Sequence, residues 1–476
     1  MKLRRVLRTV SSILNDPSLN KYARIIPFTF HRKIGKIPLH LLLTYLIFRH
    51  GRTLSEDICT IYPALNNLNP PSKQAVLKRL SILNYDVWYQ IHRLFLERIY
   101  IPEKKKTYHG YLLIAVDGTF ASLPHNEALD HIFGKRECYK KGAAAECNSP
   151  PQAKISVAYD VLNHVILDFR IASVNTSEIP LLFEHLKALE PLLKKYKVIL
   201  LADRYYGSAE LFKYCEMKGY KYLVRAKKNC FKKQRKQIPE DKMDDNFVVV
   251  IDKLWQKRII HEQIRRYISI YPVMHVRLVK GKYEYDSEEI TLNREKRITH
   301  CSVEAEYFTN LSTAEFDKEE IIRLYHYNRW DIETNYGTMK GIINIEQLNS
   351  ANPISVMNEM MADIIYANIE NIVRNESDNQ IPEEEQAIHL VNNKHVIEMC
   401  RSSWFVRAVY TGKMSVEKLQ DLVKECARVK IMIREGRHYR RWRKFRNTLT
   451  QNRHRIDGRN DPPLAKIKTG FVTTNH

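Results

Sequence analysis

KVILLADRYY, residues 197–206, places five apolar residues in a row before an aspartate. An apolar run this short with no helical gaps is the mark of a strand covered on both faces, as at the centre of a parallel sheet flanked by helices. Its neighbours fit that setting. Upstream, EIPLLFEHLKALEPLL (178–193) repeats apolar residues at helical spacing; downstream, AELFKYCEMKG (209–219) is a second helix and YKYLVRAK (220–227) another strand. Before them come three runs rich in β-branched and aromatic residues: YLLIAVDGTF (111–120), ISVAYDVL (155–162) and VILDFRIAS (165–173). Each is expected to be a strand, with Asn163-His164 as a tight hairpin between the last two. Three strands, helix, strand, helix, strand is the order of a ribonuclease-H-like α/β core.

This core is expected over 106–227, resumes over 313–375, and is interrupted over 228–312 by alternating segments such as NFVVVID, VMHVRLV and KYEYDSEEITL, read as a β-rich insertion. Residues 1–105 read as a helical domain, and 376–476 as a helical, basic C-terminal region. In the N-terminal part, Asn69-Pro70-Pro71 breaks the chain and Ser72 stands where an N-cap would start the helix SKQAVLKRLSIL. Lys73, Gln74, Lys78 and Arg79 on that helix fit a groove of DNA; a small bundle with a solvated basic face fits the same stretch equally well.

Among the 476 residues, 77 are Lys or Arg and 54 Asp or Glu, a formal charge of +23. Such an excess favours a polyanionic partner, because each neutralised phosphate releases condensed counterions. The start MKLRRVLRTVSSIL is too interrupted by charge and serine for a signal peptide, and the apolar run from Ile37 to Phe48 is too short to cross a bilayer, which needs about 20 residues. Eight scattered cysteines, with no C-x-x-C pair, suit a reduced compartment. A cytoplasmic, nucleoid-associated protein of a prokaryotic cell is expected.

Asp117 follows YLLIAV and Asp203 follows VILLA, so both are expected at the C-terminal ends of strands, where open α/β sheets place their sites. An isolated carboxylate there is costly to bury, and a metal ion relieves that cost. Magnesium takes a few carboxylate oxygens plus waters and phosphates. Against this, Asp117-Gly118 is also a common turn dipeptide. Glu333 lies on the helix YHYNRWDIETNYGTMK, where Arg329, Glu333 and Lys340 fall within roughly 40° of one another at helical pitch. One acid between two cations suits a metal flanked by phosphate contacts; an ordinary surface Arg-Glu pair has the same spacing.

Taken together these segments resemble the DDE insertion-sequence transposases that carry a β-rich insertion before the catalytic Glu and a Tyr-Arg-Glu-Lys signature. DGTFASLP resembles the first-aspartate segment and LADRYYGSAEL the second, with Arg204 and Tyr206 beside the acid. NRWDIETNYGTMK is similar to the third, with Arg329, Trp330, Ile332, Glu333 and Lys340 in register, and PSKQAVLKRL resembles the N-terminal DNA-binding helix. One position departs: three residues before Arg329, where the family has tyrosine, stands His326, and Tyr325 is the nearest substitute. The resemblance implies that Asp117, Asp203 and Glu333 bind two Mg2+ ions, with Mn2+ able to replace them. It implies that Arg329 and Lys340, aided by Tyr325, hold phosphates of double-stranded DNA. It further implies hydrolysis freeing 3′-hydroxyls at the element's ends, their transfer to target DNA, and a homodimer on DNA.

The basic run RHYRRWRKFR (437–446) offers Arg440, Arg443, Lys444 and Arg446 for phosphate contact, with rings that stack on bases or pack on a helix; a solvated tail or a dimer contact are the alternatives. Two other functions fit the same residues: a transposase-derived DNA-binding protein without turnover, and a ribonuclease-H-like host nuclease.

Overall fold

The computed structural model describes residues 2–30, 37–65, 69–100, 105–135, 150–290, 296–386, 388–433 and 438–439. Arg440, Arg443, Lys444 and Arg446 lie outside the described residues. The chain folds as a mixed α/β protein around one large mixed sheet.

The apolar run before Asp203 is a central strand. Labelling strands in chain order, β1 is Tyr111–Ser122, β2 Gln152–Asp160, β3 Val165–Ser173, β4 Lys197–Ala202 and β5 Lys221–Arg225. Strand β4 runs parallel to β1 on one side and β5 on the other, and Val198 to Ala202 are all buried. On the far side of β1 come β2 and then β3, both antiparallel to their neighbours, giving the spatial order β3-β2-β1-β4-β5. The connection between β2 and β3 is a four-residue turn over 161–164 rather than a two-residue hairpin. Asp160 closes it, accepting from Asn163 N at 3.1 Å and Asn163 Nδ2 at 2.8 Å, and His164 takes φ +52°.

The segment 228–312 continues this sheet. Strand β6 (Asp244–Val250) pairs with β7 (Val273–Ile290), β7 pairs with β8 (Lys296–Thr309), and β8 joins β5 through Leu223↔Thr309. Helices Lys253–Gln256 and Glu262–Ile270 lie between β6 and β7.

Helices cover the sheet. The expected helix Glu178–Leu193 packs on β2 and β3. Helix Pro353–Asp378 is buried along most of its length and touches both β3 and the N-terminal helices Leu39–Ile47 and Asp86–Ile99. Its start is set by Asn352, whose side chain accepts from Ser355 N, with Pro353 in the first turn. Arg49, about 1% exposed, locks the N-terminal region to it by bonding Glu359 Oε2 at 3.0 Å, Asp363, and the Gln347 carbonyl at 2.6 Å. Ser72 caps its helix as expected, accepting from Ala75 N at 3.3 Å. Among the described residues no helix is long and apolar enough to cross a membrane.

Candidate active site

Strand register brings the first two acids together. Val116 on β1 pairs with Ala202 on β4, and the parallel ladder ends there. The next residue on each strand is an aspartate, so Asp117 and Asp203 leave the ladder as neighbours. Strand β4 stops at this point, whereas β1 continues to Ser122 alongside β2. Asp117 is therefore mid-strand rather than at a strand end, which removes the turn reading of Asp117-Gly118. Its Oδ1 accepts from Gly118 N at 2.8 Å, and Asp203 Oδ1 accepts from Arg204 N at 2.6 Å.

The third acid arrives on a helix that is not uniformly α. Lys318–Arg323 and Arg329–Thr338 are α-helical, while Leu324–Asn328 and Met339–Ile343 are wound as π turns. Arg329 ties this helix to β1: Nη1 lies 3.3 Å from Asp117 Oδ2 and Nη2 bonds Glu333. The ordinary Arg-Glu helical pair is thus present, and a carboxylate from far along the chain joins it. Asp203 also acts on Arg329 electrostatically. Burial pushes the Asp117 carboxyl up to about 6, Arg329 and the Gly118 N–H hold it down, and Glu333 and Asp203 push it further up. Among the described residues no three His, Cys, Asp or Glu side chains converge closely enough, as they stand, to hold a metal ion. The guanidinium is the cation among these carboxylates.

Several expected phosphate contacts are turned inward. Lys340 Nζ donates to Thr119 Oγ1 and the Phe120 carbonyl, each at 2.6 Å, so it fastens the helix to β1. Tyr325 is buried with its ring against Tyr307 and under the Arg329 guanidinium, and its hydroxyl has no hydrogen-bond partner. Tyr206 is fully buried, out of reach of DNA, and burial with Glu178, Asp117 and Asp203 nearby raises its hydroxyl pKa far above the ordinary value. Arg79 donates to the Ile37 carbonyl at 3.1 Å and stacks on Phe30, so it serves the fold. His326 is half-buried. Arg204, Trp330, Lys73, Gln74 and Lys78 are exposed.

Residues not singled out in the sequence complete the site. Tyr336 OH donates to the Asp117 carbonyl at 2.7 Å and stitches the helix to β1. Glu178 packs against the acid-bearing strand, where a Cβ on Gly118 would come within 3.3 Å of its Oε1. As the first acid of a helix, it reads in the sequence as a dipole partner only. Behind Asp117, Ser156 Oγ lies 2.9 Å from His185 Nε2, and His185 Nδ1 lies 2.6 Å from Asp168 Oδ2. Those distances suit a nucleophile, a base and an orienting acid. All three are buried and Ser156 Oγ points at the Asp117 carbonyl, 3.4 Å away, so the row serves as a brace.

Residues 108–369, which hold all three acids, match the family described as Transposase DDE domain. Among solved structures, the chain is similar to the piggyBac transposase in its synaptic complex with hairpin DNA, at 11% identity over 89% of this chain and 84% of that one, with a TM-score of 0.41. No curated protein matches the sequence.

Proposed function

We propose, from the premise that this chain belongs to the DDE-domain transposase family, that it binds the ends of an insertion sequence, frees 3′-hydroxyls by hydrolysis and joins them to target DNA. The single observation that carries this reading is the linkage of three acids distant in the chain: Asp117 and Asp203 leave adjacent strands past the Val116↔Ala202 pair, and Arg329 bonds Asp117 to Glu333. The order β3-β2-β1-β4-β5 supports a ribonuclease-H-like core.

The family generally uses divalent metal ions, and carboxylate oxygens are the donors that Mg2+ takes. Glu333 and Asp203 each push the buried Asp117 towards its neutral form, and the cation answering that repulsion is Arg329. Asp117, Asp203 and Glu333 would hold two Mg2+ ions, with Mn2+ able to replace them. Bound there, the metals would polarise the scissile phosphate and supply a nucleophile at neutral pH. Everything else is left to the protein. Arg329 has to leave the acids, and a DNA phosphate is the partner that draws a guanidinium away, since both anions bind it in the same forked geometry. Lys340, Tyr336 and the Ser156-His185-Asp168 brace keep β1 fixed while this exchange occurs. Exposed Arg204, Trp330, Lys73, Gln74 and Lys78 would contact the duplex, as would the basic segment 437–446. Cutting two ends together calls for a homodimer on DNA.

The test is Mg2+-dependent nicking of a DNA fragment carrying the sequences that flank the gene. Cleavage leaving 3′-hydroxyls supports the transposase. Retention without cleavage supports a second reading, a transposase-derived DNA-binding protein, which is favoured by Arg329 already neutralising two of the acids.

A further inference from the structure

The loop after helix Leu39–Ile47 carries His50, Gly51 and Arg52 to the far end of the Glu333 helix, where Met339–Ile343 closes on the left-handed residue Asn344 (φ 68°). Gly51 makes this approach possible: its φ is +65°, and a Cβ would lie 3.3 Å from the Cβ atoms of both Asn344 and Gln347. Helix Asn393–Cys400 closes the third side. Between these elements lies a cavity of about 400 Å3, whose wall presents Arg52, Lys394 and Arg401 against one carboxylate, Glu398.

Arg401 is only 6% exposed, yet its Nε is buried without a hydrogen-bond partner, and Nη2 caps the Ile343 carbonyl at 3.2 Å. His50 Nε2 is likewise buried without a partner. Burial, with Arg401 and Arg52 beside it, drives that imidazole down to about 4, so it stays neutral. Among the described residues none of the three cations forms a direct ion pair; the carboxylates of Asp57 and Asp363 act on Arg401, and that of Glu56 on Arg52, only at longer range. A guanidinium that only capped the helix end would account for Nη2. The guanidinium also lies over the Tyr366 ring, 4.9 Å from its centroid, so the fold accounts for Arg401 itself, but it does not explain two further cations brought to the same wall from separate elements.

We propose that this cavity binds a phosphate group of the DNA backbone and grips the strand at the end of the helix that carries Glu333. Gly341, on its wall, follows Lys340, which is anchored to Thr119 and Phe120 just past Asp117. A strand held here therefore stays in fixed register with the three acids. The site rests on the transposase reading for the source of the phosphate; a free phosphate ester offers the same chemistry.

Two variants leave the core intact. Arg52→Ala with Lys394→Ala removes two exposed side chains. Gly341→Glu brings a carboxylate to the wall without strain, because a Cβ there meets no atom within 4 Å. Retention of a short duplex of arbitrary sequence is measured against KCl, and the His50 ring signal is followed by NMR during titration with inorganic phosphate. The expected results are a log-log salt slope shallower by about 0.9, the loss of one phosphate contact, in both variants, and a His50 shift in the wild type that both variants lack. Unchanged slopes overturn the DNA subsite, even where His50 responds to phosphate. A wild type that retains no duplex while His50 still responds would sink the transposase reading and keep the cavity as a site for a free phosphate ester. A silent His50 with unchanged slopes removes the cavity altogether.

Discussion

The Arg329 guanidinium stands between acids from distant parts of the chain, with Nη1 3.3 Å from Asp117 Oδ2 and Nη2 bonded to Glu333. A guanidinium and a divalent ion compete for those oxygens and repel one another. Arg329→Ala should therefore raise DNA-free Mn2+ affinity by roughly tenfold, about 1.4 kcal/mol, while weakening retention of DNA. Isothermal titration with and without a DNA duplex measures both. Unchanged or weaker Mn2+ binding in the variant would mean that Arg329 does not compete for the acids.

Arg49 gives a prediction about the fold alone. Its loss leaves Glu359 and Asp363, each about 1% exposed, buried beside one another without their cation. Arg49→Ala should cost about 3–5 kcal/mol in urea unfolding. Adding Glu359→Leu and Asp363→Leu should recover most of that loss, since apolar packing avoids the desolvation of charge. Recovery absent from the triple variant would show that the arginine matters for packing rather than charge.

Much of the core was legible because its residues obey one period at a time. The Val198–Ala202 run, the alternation in Val165–Ser173 and the helical repeat of Glu178–Leu193 each map onto one element with little error. What escaped depended on neighbours. Asp117 reads as a strand end because its apolar run stops there, yet antiparallel β2 continues to hold β1 as far as Ser122, and β1 alone does not reveal its partner's length. Lys340 and Tyr325 keep their places on the helix but are taken up by tertiary contacts, Lys340 by Thr119 and Phe120 and Tyr325 by Tyr307 and Arg329, which helical spacing does not encode. The attachment of β8 to β5 likewise depends on a pairing across the sheet that no local pattern encodes.

His164 predicts a pH effect. Burial, then Arg374 and Lys106, push its imidazole down from the ordinary 6.5 to about 3. The unfolded chain therefore takes up the proton first as pH falls. Stability from keeping His164 neutral is complete above about 6.5 and is lost progressively towards 3, at up to about 1.4 kcal/mol per pH unit. Asparagine tolerates the φ of +52° found here. Thermal melts of His164→Asn between pH 7 and 5 should fall less steeply than those of the wild type; equal slopes would show that another group carries the acid sensitivity.

Tyr336 tests the stitching of helix to strand. Tyr336→Phe removes the 2.7 Å donation to the Asp117 carbonyl and keeps the ring. Stability should drop by about 0.5–1.5 kcal/mol. Mg2+-dependent nicking should fall further than that loss explains, because β1 is freed beside an acid. A nicking rate equal to the wild type would limit Tyr336 to packing.

The most direct measurement is Mn2+ bound to the protein–DNA complex, read by electron paramagnetic resonance in the wild type and in Asp117→Asn, Asp203→Asn and Glu333→Gln. The account predicts that each substitution strips or weakens the bound manganese while duplex retention stays nearly constant. Undiminished manganese in all three variants would contradict a shared metal site at these acids.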